Sequence, residues 1–182
     1  MKKNILILFL FLFNMHLFSK NLDVFLNFSL YLSEPLFFSR EITIEYLPDC
    51  EKCSFTYSMG LEFEAFNNIL WGNTNRISMD CKFYFLLFKE IFIKSGPGIG
   101  YANSFGAQGV APDIIMNIYY KIFFINTKTS IFQNGFFNKN IFGIKINIAN
   151  FAFKLGLNNV LVSDYKSYYF IYGLLSGAGY EF

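Results

Sequence analysis

Three stretches of this sequence hold residue types that do chemistry in other proteins. Cys50-Glu51-Lys52-Cys53 sets two thiols two residues apart, a spacing that suits a redox couple, a disulfide or half of a metal centre. A tetrahedral zinc site needs at least three protein ligands. Two thiols without a histidine fall short of that, and no strand–helix–strand pattern surrounds them. A structural disulfide between Cys50 and Cys53, or two free thiols, is the expectation, with no metal and no cofactor. The segment SGPGIGYANSFGAQG, from Ser95 to Gly109, has the glycine density of a phosphate loop. The fingerprint G-x-G-x-x-G fails because Tyr101 stands at its last glycine, and no helix follows. Glu62 and Glu64 are a close pair of carboxylates, the raw material of glycoside hydrolysis. They alternate along one extended segment with Lys82 expected opposite, which reads as structural pairing.

The elements around these residues repeat with a period of two. From Asn21 to Ser33 the even positions are Leu22, Val24, Leu26, Phe28, Leu30 and Leu32, while Asp23, Asn27, Ser29 and Ser33 fall on odd ones. From Ser54 to Phe66 the odd set is Phe55, Tyr57, Met59, Leu61, Phe63 and Ala65. A helix repeats every 3.6 residues and would scramble this order. Ten extended segments are expected, over 21–33, 37–47, 54–66, 76–88, 91–102, 112–122, 123–133, 139–149, 150–161 and 167–182. Short joints at Lys89-Glu90, Ile122/Phe123 and Ala149-Asn150 alternate with longer Asn- and Gly-rich stretches, NNILWGNTN, NSFGAQGVAP, QNGFFNKN and NNVLVSDYKS. Short turns on one side and long loops on the other are the rhythm of a transmembrane β-barrel. The predicted fold is an all-β, closed antiparallel barrel of ten strands. Eight is the alternative, if 112–133 forms one long strand.

Composition bounds the setting. The chain has 182 residues, of which 54% are hydrophobic, 21% aromatic and only 15% charged, against about 25% charged in a typical soluble domain. No apolar run beyond the first residues approaches the roughly 20 needed for a spanning helix. MKKNILILFLFLFNMHLFSK reads as a signal peptide: Lys2 and Lys3 supply the basic start, Ile5 to Phe13 the apolar stretch, and cleavage is expected near Ser19. Residues 1–19 are thus assigned to a signal peptide and 20–182 to the barrel. Removing the leader takes away Lys2 and Lys3, which cancels the formal charge of +2 and with it any basic surplus for nucleic acid. The one histidine, His16, leaves with it.

Alternation alone does not say which face is wet. A soluble lipocalin-like barrel puts its apolar face inward, and a membrane barrel does the reverse. The apolar set is crowded with Phe, Leu and Ile, which would overfill a narrow lumen. Gly60, Gly96, Gly98, Gly100, Gly143, Gly156, Gly173, Gly177 and Gly179 fall on the other face, where small residues relieve crowding and allow curvature. Tyr46, Tyr101, Tyr119, Tyr168 and Tyr180 lie towards segment ends, as an interfacial girdle requires. Cys81 falls on the apolar set and behaves as a small apolar residue. The membrane orientation is the expectation.

The last residues, SGAGYEF, carry a resemblance. Gly177, Tyr180 and Phe182 match the pattern polar-x-Gly-x-x-aromatic-x-aromatic, and Leu175 departs from it at the polar position. This resembles the assembly signal of bacterial outer-membrane barrels, and the chain as a whole is similar to small OmpA/OmpX-type membrane barrels. The resemblance implies export to the bacterial outer membrane, contact with its lipid, and insertion by the barrel-assembly machinery through the C-terminus. The outer-membrane phospholipase, lipid-A acyl-modifying and omptin protease families all use histidine, which the segment after residue 19 lacks. No enzymatic activity is expected.

The charged residues on the polar face are segregated. Asp23, Glu41, Glu45, Glu62, Glu64 and Asp80, with Lys82, come from the first four segments; Lys94, Lys121, Lys128, Lys145 and Lys154 come from the next five, with Asp113 near a rim and Glu181 in the last. If strand i faces strand i+5, Asp23 meets Lys121, Glu41 and Glu45 meet Lys128, Glu62 and Glu64 meet Lys145, Asp80 meets Lys154 and Lys94 meets Glu181. A buried unpaired ion costs several kcal/mol, so a salt-bridged plug is expected. The function expected is that of a non-enzymatic barrel with a closed lumen. Its loop aromatics Trp71, Phe105, Phe136, Phe137 and Tyr165 would offer a surface to an extracellular partner. A small porin with a charged lumen is the first alternative, and a secreted lipocalin-like binding barrel the second.

Overall fold

A computed structural model describes residues 22–32, 37–47, 56–68, 72–87, 90–103, 108–164 and 166–181. Ten strands follow one another: β1 (Leu22–Tyr31), β2 (Phe37–Tyr46), β3 (Thr56–Asn68), β4 (Gly72–Leu87), β5 (Ile91–Asn103), β6 (Gln108–Tyr120), β7 (Phe123–Phe132), β8 (Gly135–Ile148), β9 (Phe151–Ser163) and β10 (Tyr168–Glu181). Each pairs antiparallel with its neighbours in sequence, and β1 pairs with β10 to close the barrel. Closure leaves no sheet edge with unpaired amides. The expected architecture and the preferred strand count both stand. Among the described residues no helix is long and apolar enough to cross a membrane.

Registration fixes which side chains share a face. Leu61 stands beside Met79 and Phe63 beside Ile77 on the outside, while Glu62 stands beside Ser78 on the inside. A slip of one residue would exchange these sets. At the closing seam Asn27 registers with Gly177. A Cβ added at Gly60 would meet the Asp80 carboxyl at 2.6 Å, and one at Gly100 would meet that of Asp113 at 2.9 Å. Those two glycines make room for carboxylates inside a narrow barrel.

The end where β1 begins and β10 finishes is called here the terminus end, and the opposite one the far end. Two terminus-end hairpins turn on two residues each, Lys121-Ile122 and Ala149-Asn150. Lys121 and Ala149 take positive φ, 54° and 53°, the conformation that tight hairpin turns demand. At the far end strands run further than the sequence suggests. β4 begins at Gly72 rather than near 76, β6 at Gln108 rather than near 112, and β8 at Gly135 rather than near 139, while β9 continues to Ser163. The stretch QNGFFNKN is therefore not a loop. Its turn is Gln133-Asn134 alone, and Phe136 and Phe137 belong to β8. Between β9 and β10, the N–H groups of Ser167 and Lys166 donate to Asp164 Oδ1 at 2.6 and 2.9 Å. Those bonds hold the exposed Asp164 carboxyl below its usual range.

The outside is apolar and bare. Met79, Ile114, Leu157 and Val110 are 61%, 60%, 61% and 65% exposed, whereas Glu64, Ser78 and Ser130 inside are fully buried. This is the reverse of a soluble barrel, in which large apolar patches are covered. Tyr46, Tyr57 and Tyr120 stand exposed towards the terminus end, and Tyr101, Tyr168 and Tyr172 towards the far end. Tyr119 departs from the expected girdle. It points inward and packs against Phe124, Ile141 and Leu175, because its parity on β6 is that of Asp113 and Asn117.

Candidate functional site

The lumen is layered along its axis. At the far end Tyr31, Ala102, Ala111, Phe132, Phe137, Val160 and Ile171 form one buried apolar cluster, with Phe66 and Val162 packed against it. The Tyr31 and Phe66 ring centroids are 6.1 Å apart, and those of Phe66 and Phe137 are 6.2 Å apart in an edge-on contact. The Asn158 amide donates to the Tyr31 hydroxyl at 2.9 Å and to Ser29 Oγ at 3.0 Å, which holds the tip of the Tyr31 side chain. The residues of the cluster come from eight strands near their far ends and form an apolar layer across that end of the lumen.

A charged layer lies directly beneath. Arg76 links the two layers: its guanidinium is 4.7 Å from the centre of the Phe137 ring and donates to Asp113 at 3.1 Å. It also lies 3.7 Å from Glu62. Lys128 reaches Glu62 at 3.1 Å and Asp113 at 3.7 Å. Lys139 binds Glu64 at 2.6 Å and also bonds Glu41. Glu41 further accepts from the Asn27 amide at 2.7 Å. Carboxylate oxygens of Glu41, Glu62 and Glu64 lie within 4.8 Å of one another, a grouping able to hold a cation. Here the Lys139 ammonium supplies that cation to two of the three.

Towards the terminus end, Glu45 lies 3.6 Å from Lys82 and 3.2 Å from Lys94, and Lys82 binds Asp80 at 2.8 Å. Ser58 also donates to Glu45. Lys145 pairs with Glu181. Lys154 has no carboxylate within ion-pair distance among the described residues, and its ammonium sits 3.5 Å from the centre of the Phe25 ring. A cavity of about 550 Å³ occupies this half of the lumen, and its lining runs down to Lys121 and Ile122 in the β6–β7 turn.

Of the charged residues grouped on the polar face in the sequence, all but Lys121 lie along strands with their side chains in the lumen, and Lys121 stands at the edge of its mouth. Lys121 sits exposed in the turn with its ammonium over the Tyr120 ring. The expected partners differ. Glu45 meets Lys82 and Lys94 instead of Lys128; Asp80 meets Lys82 instead of Lys154; Glu181 meets Lys145 instead of Lys94. Asp23 is half-buried at the terminus end, in register with Glu181 and Glu45 and away from Lys121. The physical reason is strand tilt. A barrel closes only when its strands are inclined and staggered, so the height at which a side chain enters the bore, and not the strand count alone, decides its partner. β3 does face β8, but stagger brings Lys139 rather than Lys145 to Glu64.

Arg76, Lys139 and the inward aromatics were missed. Arg76 and Lys139 open two expected segments and so read as loop-edge residues. The signal for the aromatics was parity: Phe25 and Tyr31 share odd positions with Asp23, Asn27 and Ser29 on β1. Gly177 faces the lumen beside Asn27. Tyr180 stacks edge-on with Phe151 at 5.0 Å. Cys81 is a free thiol, half-buried on the outward set. Cys50, Cys53, Phe182, Trp71, Phe105, Tyr165 and the leader, 1–19, lie outside the described residues.

No protein-family model matches the sequence, and no curated protein matches it. Solved structures of similar shape do exist. One is the Yersinia pestis outer membrane protein Ail, at 8% identity and a TM-score of 0.45, covering 89% of this chain and 99% of that one. Others are the β domain of the Bordetella autotransporter BrkA, at 10% and 0.38, covering 89% and 99%, and the translocator domain of the Neisseria meningitidis autotransporter NalP, at 9% and 0.39, covering 90% and 89%.

Proposed function

We propose that this chain is a barrel of the bacterial outer membrane, without enzymatic activity, whose lumen is closed to solutes and whose far-end tips take structural or partner-contact roles at the cell surface. The membrane placement is supported by the inversion of the faces. A closed barrel satisfies every strand amide internally, as hydrocarbon requires, and its outward side chains are those that hydrocarbon solvates. The absence of catalysis is supported by the state of the carboxylates, since Glu62 and Glu64 are each held by a cation. The last strand, with Gly177 and Tyr180, would be the part read by the assembly machinery.

The observation that carries the closed lumen is the stack of two complementary layers, an apolar cluster across the far end and an ion-paired network beneath it. An ion entering the bore would have to displace paired charges and then cross a dry constriction. The second reading, a narrow channel, has one observation in its favour, the cavity of about 550 Å³ that reaches the charged layer from the terminus end. Planar-bilayer recording separates the two. Pure refolded protein is expected to give no steady conductance, and a stable, ion-selective step from protein free of other porins would overturn the closed reading.

A further inference from the structure

Among the described residues, the outward belt carries an extended polar interruption over β7–β9. Thr129 on β7, Asn138 and Asn140 on β8 and Asn159 on β9 point outward and form a hydrogen-bonded row. The Asn138 amide donates to Thr129 Oγ1 at 2.8 Å, and the Asn140 amide donates to Asn138 Oδ1 at 2.5 Å and to Asn159 Oδ1 at 3.0 Å. The row is inside the belt, not beyond it. Along β8 it is bracketed by Phe136 and Phe142, and along β9 by Leu157 and Leu161. Each asparagine offers two donors and an oxygen with two lone pairs, so these internal bonds leave most of the row's capacity open. In hydrocarbon, every polar group left open is costly.

A second feature adjoins the row. On its terminus-end side the outer wall is indented into a groove of about 750 Å³, bounded by Phe142, Leu157, Leu155, Leu174 and Phe28. The groove crosses the place where Gly143 and Gly156 stand in register. Phe142 and Leu157 border both the row and the groove.

We propose that row and groove are one lipid site, a claim that rests on the membrane placement argued above. A two-chain lipid of the outer leaflet lays an acyl chain along the groove and sets its carbonyl linkage against Asn138, Asn140 and Asn159. Three observations agree on this occupant. The row carries no charge, which suits an uncharged ester or amide and not a phosphate. Asparagine donates to a carbonyl oxygen and also accepts from an acyl-amide N–H or a hydroxyl. The order along the barrel axis is right as well: the polar row lies towards the far end and the apolar groove towards the middle, as the linkage and chain of an outer-leaflet lipid do. A second copy of the chain would press a convex wall against this indentation and leave the groove unfilled.

The test uses the full chain refolded into vesicles of 1-palmitoyl-2-oleoyl phosphatidylethanolamine, extracted in mild detergent and weighed by native mass spectrometry. One retained lipid per barrel is expected. Replacing that lipid with its ether-linked analogue, which lacks the carbonyls, should lower the retained fraction about tenfold, as should Asn140→Leu with Asn159→Leu. The ester-against-ether comparison needs no variant, so it stands even if the double variant misfolds. Equal retention of ester and ether lipid, or no retained lipid on an inserted, heat-modifiable barrel, would overturn the lipid site alone. A two-copy species in place of the lipid adduct would overturn it in favour of an interface between copies. Failure to insert into vesicles at all would overturn the membrane placement instead.

Discussion

Replacing Lys139 with methionine is expected to lower the stability of the folded barrel by about 3–5 kcal/mol, the cost of breaking a buried ion pair by removing one partner. Methionine has nearly the length of lysine, so packing is largely kept and the loss is one of charge. The Lys139 side chain is 4% exposed and binds both Glu41 and Glu64. Without it two carboxylates face each other with only neutral donors left, the Asn27 amide and the Thr43 hydroxyl on Glu41 and the Ser39 hydroxyl on Glu64 at 3.3 Å. Arg76 and Lys128 already serve Glu62 and Asp113. Urea unfolding from vesicles, followed through the single tryptophan and by gel mobility, measures the effect. Adding Glu64→Gln to Lys139→Met should restore part of the stability, because it removes one of the stranded charges, and the double-mutant cycle should show a coupling of at least about 1 kcal/mol. A loss below about 1 kcal/mol for Lys139→Met would mean that water solvates this layer freely, and the lumen would be a wet bore instead of a plug.

Met79→Arg should cost about 2–4 kcal/mol when the barrel folds into a bilayer, the range for arginine near the midplane of a lipid-facing wall. Met79 is 61% exposed and flanked in register by Leu61 and Ile99, so no acid on the outer wall stands directly beside it. On a soluble barrel the same exchange at so exposed a position would fall within about ±0.5 kcal/mol. The two settings therefore predict effects that differ several-fold at one residue. Refolding yield and urea midpoint in phosphatidylcholine vesicles read it out, with Ile77→Leu on the exposed outward face of the same strand as a check that β4 tolerates an apolar exchange there.

Much of the fold was legible because strand periodicity survives in a single sequence. Asp23, Asn27 and Ser29 against Leu26, Phe28 and Leu30 already separate the two faces of β1. The turns at Lys121-Ile122 and Ala149-Asn150 lie where two alternating runs meet. Strand ends were less legible at the far end. Asparagine and glycine usually mark loops, yet Asn138, Asn140 and Asn159 sit within strands, where their amides bond one another along β8 and across to β9. In QNGFFNKN both faces of the strand carry an aromatic, Phe136 outward and Phe137 inward, so the alternation that marks a strand is lost. The charged lumen was legible as a set and not as pairs. Parity identifies Glu41, Glu45, Glu62 and Lys128 as inward, but the partner of each depends on tilt and stagger, which no local pattern encodes. The apolar layer was hidden for a related reason. Tyr31, Phe66 and the Phe132/Phe137 hairpin lie far apart in sequence, and only closure brings their far-end positions to one height.

The most direct test of the orientation of the faces is the accessibility of nitroxides placed one residue at a time on a cysteine-free background, in vesicles, to oxygen and to a water-soluble nickel chelate. Labels at Leu26, Phe63 and Phe83 are predicted to collide with oxygen and to be shielded from nickel, while labels at Asn27, Glu62 and Lys82 are shielded from oxygen. Nickel access to the inward sites around the whole barrel, with Leu26, Phe63 and Phe83 closed to both reagents, would contradict the account.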